Sequence, residues 1–175
     1  MQELISYTGY LMKEPHLSNM LTGTINGLQE NIPQMISFME SEIDQQPWER
    51  WAKASYVSDS ETEINLMSLM RDMMGHASVP GLFGRGLLDK YPDILHDVYD
   101  MDAGMIYLMI GLPPWTPWLA VNRAHRARQR VWRALDDHQR ALDASADGKP
   151  FDSTWGDLDD VSAFIMKRHA IFQSK

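Results

Sequence analysis

Residues 65–118 decide the fold, and they read NLMSLMRDMMGHASVPGLFGRGLLDKYPDILHDVYDMDAGMIYLMIGLPPWTPW. Apolar residues recur at helical spacing in two runs, with a Gly- and Pro-containing break between them and a Pro- and Trp-containing loop after them. A broad apolar stripe at this spacing is typical of a helix that packs against a core. The stretch therefore predicts one core helix that begins at Glu63 and ends or bends near Pro80, and a second from Tyr91 to Leu112.

The rest of the chain is also predicted to be helices joined by short breaks, with no strand pair. His16–Glu42 is helical in pattern, with Ser18 as a plausible N-cap and Pro33 expected to kink or split the helix. Residues 44–61 lose the pattern and are predicted to be a loop that Trp48 and Trp51 pin to the core. Further helices are predicted over Glu3–Met12, Asn122–Ala144 and Thr154–Phe172. The predicted fold class is all-α.

Composition and charge limit the classes of function. Hydrophobic residues make up 44% and charged residues 23% of the 175 residues, which is ordinary for a soluble globular chain. A net charge of −8 argues against nucleic acid as a partner, because phosphate binding needs clustered positive charge. The absence of cysteine excludes disulfides and thiolate metal sites. The sequence has no run of 18 apolar residues, so no membrane span is predicted. It has no basic leader, so no signal peptide is predicted.

The phrase MRDMMGHASVPGLFG, followed by KYPDILHDVYDMDAG and then GLP, resembles the middle of fungal cytochrome P450 haem-thiolate monooxygenases. The resemblance implies an incomplete central portion of that fold: one partial helical domain over residues 1–175, holding the pocket roof and its neighbouring helices. Intact relatives hydroxylate apolar molecules such as sterols, lipids or secondary metabolites. They use haem, O2 and an NADPH-dependent reductase at the cytosolic face of the endoplasmic reticulum membrane.

The residues that perform the family's chemistry are missing from this sequence. There is no cysteine to serve as the axial thiolate, and no Glu is followed by Arg three residues later. We therefore expect no haem to bind this chain alone, no monooxygenase activity from it alone, and a cytoplasmic location without the family's membrane anchor. The alternative is a non-enzymatic helical remnant that binds a partner or an apolar ligand through its methionine-rich face.

The resemblance implies a set of substrate-pocket residues on the second core helix and in the turn after it. Their expected role is to shape the pocket and exclude water, and no residue of this chain is expected to be catalytic, to bind the cofactor or to ligate a metal. The pocket residues are Met101, Met105, Leu108, Met109 and Leu112.

A basic run follows the Pro/Trp loop and has two interpretations. Aromatic residues at a loop tip beside basic residues suit contact with an anionic membrane interface, and the resemblance points the same way. This interpretation assigns membrane contact to Trp115 and Trp118. The other interpretation is a solvated helix face paired with Asp136, Asp137 and Asp143. The basic residues are Arg123, His125, Arg126, Arg128, Arg130 and Arg133.

His96 and Asp100 are four residues apart on a predicted helix, so the two side chains could share a metal ion. The pattern of a carboxylate-bridged site, with Glu-x-x-His on two helices, is absent. A solvated polar face is the favoured interpretation of this pair. His76 is predicted to be structural.

Overall fold

The computed structural model describes residues 16–156, 158–166 and 168, so the helix predicted over Glu3–Met12 lies outside the described part. The described chain is mostly helical, with one two-stranded sheet, which confirms the all-α class at a coarse level. The chain divides into two compact units. Unit 1 comprises Met1–Arg85 and Asp159–Lys175, and unit 2 comprises Gly86–Leu158.

Unit 1 is built on two long antiparallel helices, α1 (His16–Asn31) and α3 (Leu66–Phe83). Gly27 lies against Ala77, and Gly23 lies against Gly81, so the two backbones approach closely. Between the helices come a 3-10 helix (Ile32–Gln34), α2 (Pro47–Trp51), β1 (Ser55–Ser58) and β2 (Glu61–Glu63).

The helix predicted from His16 to Glu42 is wrong beyond Asn31, where α1 ends. Pro33 lies in the 3-10 helix, because its ring removes a backbone donor and blocks the continuation of an α-helix. Ser18 is already inside α1, so it is not the N-cap. Residues 35–44 are irregular, although Met35 and Ile36 still pack against the buried core of unit 1.

The loop predicted over residues 44–61 is also wrong, because it contains α2 and the first strand of a β-hairpin. Trp48 pins this region as expected: its side chain is buried and its indole N–H donates to the Met35 carbonyl at 3.1 Å. The buried Glu49 carboxylate accepts the backbone N–H groups of Ser37 at 2.7 Å and Gln46 at 2.8 Å. Trp51, in contrast, is about half exposed.

The strong helix predicted to begin at Glu63 is present as α3, which begins at Leu66 and ends at Phe83. The Asn65 side chain accepts the Ser68 N–H at 2.9 Å and so caps its first turn. The predicted end near Pro80 is close to the observed one. Gly84 follows with φ of +81°, a conformation that glycine adopts without strain, and its N–H donates to the Pro80 carbonyl.

Unit 2 contains α4 (Gly86–Lys90), α5 (Ile94–Ala103), α6 (Met105–Met109), α7 (Leu119–Ala146) and a 3-10 helix (Ser153–Trp155). Helices α5 and α7 run antiparallel, because Asp97 pairs with Arg130 while Asp100 pairs with Arg123. The buried face of α7 consists mostly of small side chains, which lets its neighbours approach closely. The apolar members of that face are Val121, Ala124, Ala127, Val131, Ala134, Ala141 and Leu142.

The single helix predicted from Tyr91 to Leu112 is wrong, because it is divided at Gly104 into α5 and α6. A β-carbon at Gly104 would lie 2.2 Å from the Ala124 β-carbon, so the close approach of α7 requires glycine there. The helix predicted from Thr154 to Phe172 is wrong over residues 154–156 and 158–162, whereas residues 163–166 and 168 are helical as predicted. Before residue 163 the structure instead has the short 3-10 helix and bends.

Candidate functional site

One end of unit 2 exposes a cluster of large apolar side chains, which we call the apolar tip. It consists of α6, the loop of residues 110–118 and the first residue of α7. Trp115 and Leu119 are each 82% exposed and Met109 is 78% exposed. Contiguous exposed apolar surface of this kind marks an interaction site. The large exposed side chains of the tip are Met105, Ile106, Met109, Ile110, Trp115, Trp118 and Leu119.

Hydrogen bonds hold the loop of the apolar tip in place. The Leu112 N–H donates to the Tyr107 carbonyl at 3.0 Å, and the Leu112 carbonyl is 2.7 Å from Nε2 of His125, which must donate because a carbonyl only accepts. The Asn122 side-chain amide donates to the Thr116 carbonyl at 3.0 Å. The exposed side chains therefore project from an ordered loop, which lowers the entropic cost of binding a surface.

The charges around the apolar tip are arranged unevenly. Residues 103–135 contain no Asp and no Glu, although the whole chain has 24 of them. The first twenty of these residues are also free of Lys and Arg, and the last thirteen contain five Arg. An uncharged segment therefore leads directly into a basic helix, an order that suits an interface between hydrocarbon and headgroups.

Two of these arginines have carboxylate partners on α5. Arg130 pairs with Asp97, a carboxylate that is only 7% exposed, and the pairing raises the pKa of Arg130 mainly through this hydrogen bond. Arg123 donates to Asp100 at 2.7 Å. The pairing predicted with later acids of the same helix is therefore wrong for these two. It is Arg140, outside the predicted set, that pairs with Asp136.

The predicted membrane-contact residues, Trp115 and Trp118, both belong to the apolar tip. Sequence reasoning missed Ile106, Ile110 and Leu119, which enlarge the exposed surface. The absence of carboxylates over residues 103–135 is the sequence signal that could have found the whole region.

The predicted substrate-pocket residues belong to three successive segments instead of one helix face. Met101 is on α5, Met105, Leu108 and Met109 are on α6, and Leu112 is in the loop. Met105 and Met109 are exposed, whereas the other three are half-buried. Their role in a pocket stays a prediction.

A polar cluster lies elsewhere in unit 2, around Trp155. The Tyr91 hydroxyl donates to Asp137, and the rings of Tyr91 and His138 lie against Trp155. The Lys90 ammonium lies 4.7 Å from the centre of the Trp155 ring and 2.8 Å from Asp152. These contacts attach the segment after α7 to α4 and α7, so we interpret the cluster as structural.

Burial, together with the hydrogen bond to Asp137, raises the pKa of Tyr91 to about 12. A raised pKa in the folded state stabilises the fold below the unfolded value near 10, and this stabilisation is lost as the pH rises through the folded value. We expect the difference in free energy of unfolding between wild type and Tyr91→Phe to shrink between pH 10 and about 12. Urea unfolding at both ends of this range measures it.

Tyr107→Phe, which removes a hydroxyl from the same unit, is the matched control. It shows how much of the change in stability comes from the loss of any tyrosine hydroxyl in unit 2. A Tyr91→Phe difference that stays constant over the same pH range would show that the Tyr91 hydroxyl has no special partner.

No group of three or more His, Asp or Glu in the described residues is placed to hold a metal ion. Asp100 of the predicted His96–Asp100 pair is instead bound to Arg123. His76 is half-buried, donates through Nδ1 to the Asp72 carbonyl, and lies edge-on to Trp48, in keeping with a structural role. Within the described ranges, no helix has the length and apolar character needed to cross a membrane.

The chain was compared with family models, curated proteins and solved structures, and none of them matches it.

Proposed function

We propose that this chain is the pocket-roof portion of a haem-thiolate monooxygenase related to the fungal cytochromes P450, and that it rests on a membrane surface through the apolar tip. The complete enzyme hydroxylates an apolar small molecule such as a sterol, lipid or secondary metabolite. The phrase at residues 70–84 and the mostly helical fold support the family. The exposure of the apolar tip is the observation that carries the membrane contact.

The energetics of the tip favour lipid over water. Full burial of a Leu- or Met-sized side chain is worth about 1.5–3 kcal/mol. The tip offers Met109, Trp115 and Leu119 almost fully exposed, together with four more large apolar side chains. Tryptophan is also the residue type that prefers the headgroup level of a bilayer. Even partial insertion of the tip therefore offsets the cost of fixing unit 2 at a surface.

Haem supplies the activation of O2 in the family, through a cysteine thiolate bound to its iron. This chain has no cysteine, so its residues do not fit the thiolate site and no catalytic step is derived from them. In the proposal, the thiolate comes from sequence outside this chain. In the proposal, the half-buried Met101, Leu108 and Leu112 form part of the apolar pocket wall, whereas the exposed Met105 and Met109 belong to the apolar tip.

The family assignment is tested on the transcript and its product. We expect a reading frame continuous with this chain that carries Glu-x-x-Arg and a cysteine loop, and an expressed product whose reduced, carbon monoxide-bound spectrum is that of a thiolate-bound haem. A transcript without such a frame, from which the chain accumulates alone, would contradict the assignment.

The membrane contact is tested by replacing the two exposed tryptophans. We expect Trp115→Ser combined with Trp118→Ser to lower partitioning of the 175-residue chain onto phosphatidylcholine vesicles about tenfold, because apolar area leaves the lipid. Co-sedimentation with vesicles measures it.

Trp51→Ser is the control, since it removes an exposed tryptophan from unit 1 and should leave partitioning unchanged. Equal partitioning of wild type and the double variant, or an equal loss in the control, would contradict membrane contact through the tip.

The second candidate is a non-enzymatic interaction protein, and the exposed face of α3 favours it. Leu66, Met67, Met70 and Met74 present an apolar stripe along two turns of that helix, and methionine adapts to varied partners. A transcript that ends after Lys175, together with a partner captured through this face and lost in Met67→Glu, would favour this candidate over the enzyme.

A further inference from the structure

The outer face of α7 continues from the apolar tip as a basic stripe. Leu119, Arg126 and Arg133 are spaced by seven residues, which places them on one side of the helix. At about 1.5 Å per residue, Arg126 lies about 10 Å and Arg133 about 21 Å along the axis from Leu119. Both arginines are exposed.

The arginines of this stripe differ from the other arginines of α7. In the described part of the chain, no carboxylate lies within 4.0 Å of Arg126 or Arg133. Arg123, Arg130 and Arg140 are paired with aspartates. The outer face of α7 therefore carries positive charge that the unit's own acids do not neutralise.

Arg128 and Trp132 lie on a different side of α7 from the stripe. At about 100° per residue, they are about 160° and 120° around the helix from Arg126. Trp132 is 66% exposed, and the Arg128 guanidinium lies 5.4 Å from the centre of its ring. This stacked pair is therefore not part of the stripe.

Carboxylates are unevenly distributed around the stripe. Asp97 and Asp100 on α5 are already bound to Arg130 and Arg123. Asp136 and Asp137, three and four residues after Arg133, share Arg140. Residues 103–135 contain no acid, so the surplus positive charge is greatest around Arg126, next to the apolar tip.

We propose that this basic stripe binds the headgroups of anionic phospholipids and that α7 lies along the membrane surface. The inference rests on the proposed membrane contact of the apolar tip. The headgroup layer is only about 5–7 Å thick on each side of a bilayer. Because Arg126 and Arg133 are about 10 Å apart along the helix, both reach that layer only if α7 is inclined to the membrane plane by less than about 45°.

Continuity with the tip favours lipid over an acidic protein as the occupant. The exposed apolar side chains of the tip would enter the hydrocarbon boundary, and the exposed arginines that follow would meet the phosphates. A soluble acidic protein would use the arginines and leave the exposed tip uncovered.

The test compares vesicles of phosphatidylcholine with vesicles in which about a third of the lipid is phosphatidylserine. We expect the full chain to bind the anionic vesicles more tightly, and we expect the preference to weaken with added salt. Each of Arg126→Gln and Arg133→Gln should lower binding to anionic vesicles about fivefold and leave binding to phosphatidylcholine nearly unchanged.

Arg85→Gln is the matched control, because Arg85 is exposed, belongs to unit 1 and is paired with Glu30. Its binding to both kinds of vesicle should equal that of wild type. Helical circular dichroism and thermal midpoints check that all three variants are folded.

Several results would overturn the inference. Equal binding of wild type to both kinds of vesicle would show that the stripe does not bind anionic headgroups. Unchanged binding of both stripe variants to anionic vesicles would show the same. Competition by inorganic phosphate beyond that of chloride at the same ionic strength would indicate a site for free phosphate. Stripe variants that weaken binding to polyglutamate but not to vesicles would indicate an acidic protein.

These outcomes are separate from failure of the tip. If Trp115→Ser with Trp118→Ser leaves binding to phosphatidylcholine intact, the proposed membrane contact fails. If only the preference for anionic vesicles is missing, the proposed membrane contact of the tip is retained and only the inference about the stripe is wrong.

Discussion

Gly104→Ala should destabilise unit 2 by about 3 kcal/mol, because overfilling a packed contact typically costs about 1–3 kcal/mol and sometimes more. The added methyl carbon would lie 2.2 Å from the Ala124 β-carbon, whereas carbon atoms in contact prefer about 3.5–4 Å. Neither methyl can rotate away, so α5 and α7 must move apart and weaken the Asp97–Arg130 and Asp100–Arg123 pairs. Urea unfolding measures the loss.

A compensating substitution shows whether the cause is this contact. Ala124→Gly alone should destabilise by about 1 kcal/mol through its lower helix propensity. Combined with Gly104→Ala, however, it should recover part of the lost stability, since it removes the opposing methyl group. A double variant no more stable than Gly104→Ala would mean that the two residues are not in contact.

Gly27→Ala should destabilise unit 1 by about 2 kcal/mol, even though alanine is intrinsically the better helix former by about 1 kcal/mol. A β-carbon at Gly27 would lie 2.7 Å from the Ala77 carbonyl oxygen and 3.0 Å from the Ala77 α-carbon. These are backbone atoms of α3, so the whole helix has to shift. The loss of close α1–α3 packing outweighs the gain in propensity, and chemical unfolding followed by circular dichroism measures it.

Asn26→Ala is the matched control for Gly27→Ala. Asn26 is the neighbouring, exposed residue of α1, so alanine there gains propensity without a steric cost and should stabilise by a few tenths of a kcal/mol. If both variants are stabilising, α1 and α3 do not approach as closely as the structure has them.

The helices that could be predicted from the sequence are those with strong periodic patterns. The apolar positions of α3 and the length of α7 were evident because their periodicity extends over many turns. The division at Gly104 was not evident, because the apolar pattern continues across it. What divides the helix is the approach of Ala124, a residue twenty positions later, and such a contact leaves no local signal.

The β-hairpin and α2 were missed for a similar reason. The strand β1 has only four residues and begins and ends with serine, and α2 is a single turn that begins at Pro47. Their positions depend on the burial of Trp48 and on hydrogen bonds to Glu49, which are tertiary contacts. Short elements of this kind are specified by what they pack against more than by their own propensity.

The candidate site was predictable in part. Trp115 and Trp118 could be identified because aromatic residues beside Pro in a turn suit an interface. The distribution of charge on α7 could not, because it depends on which arginines find acids on α5. Asp97 and Asp100 bind Arg130 and Arg123, and this selection leaves Arg126 and Arg133 facing outward without a carboxylate.

The absence of cysteine gives the most direct test of membrane contact, because a single introduced cysteine can be labelled uniquely. Met109 on the apolar tip is 78% exposed and Met67 on α3 is 80% exposed, so the two sites are matched in exposure. Met109→Cys and Met67→Cys are labelled separately with a polarity-sensitive fluorophore and mixed with anionic vesicles. We predict a blue shift of the emission for the label at residue 109 and no shift for the label at residue 67. No shift at residue 109, or equal shifts at both positions, would contradict the account.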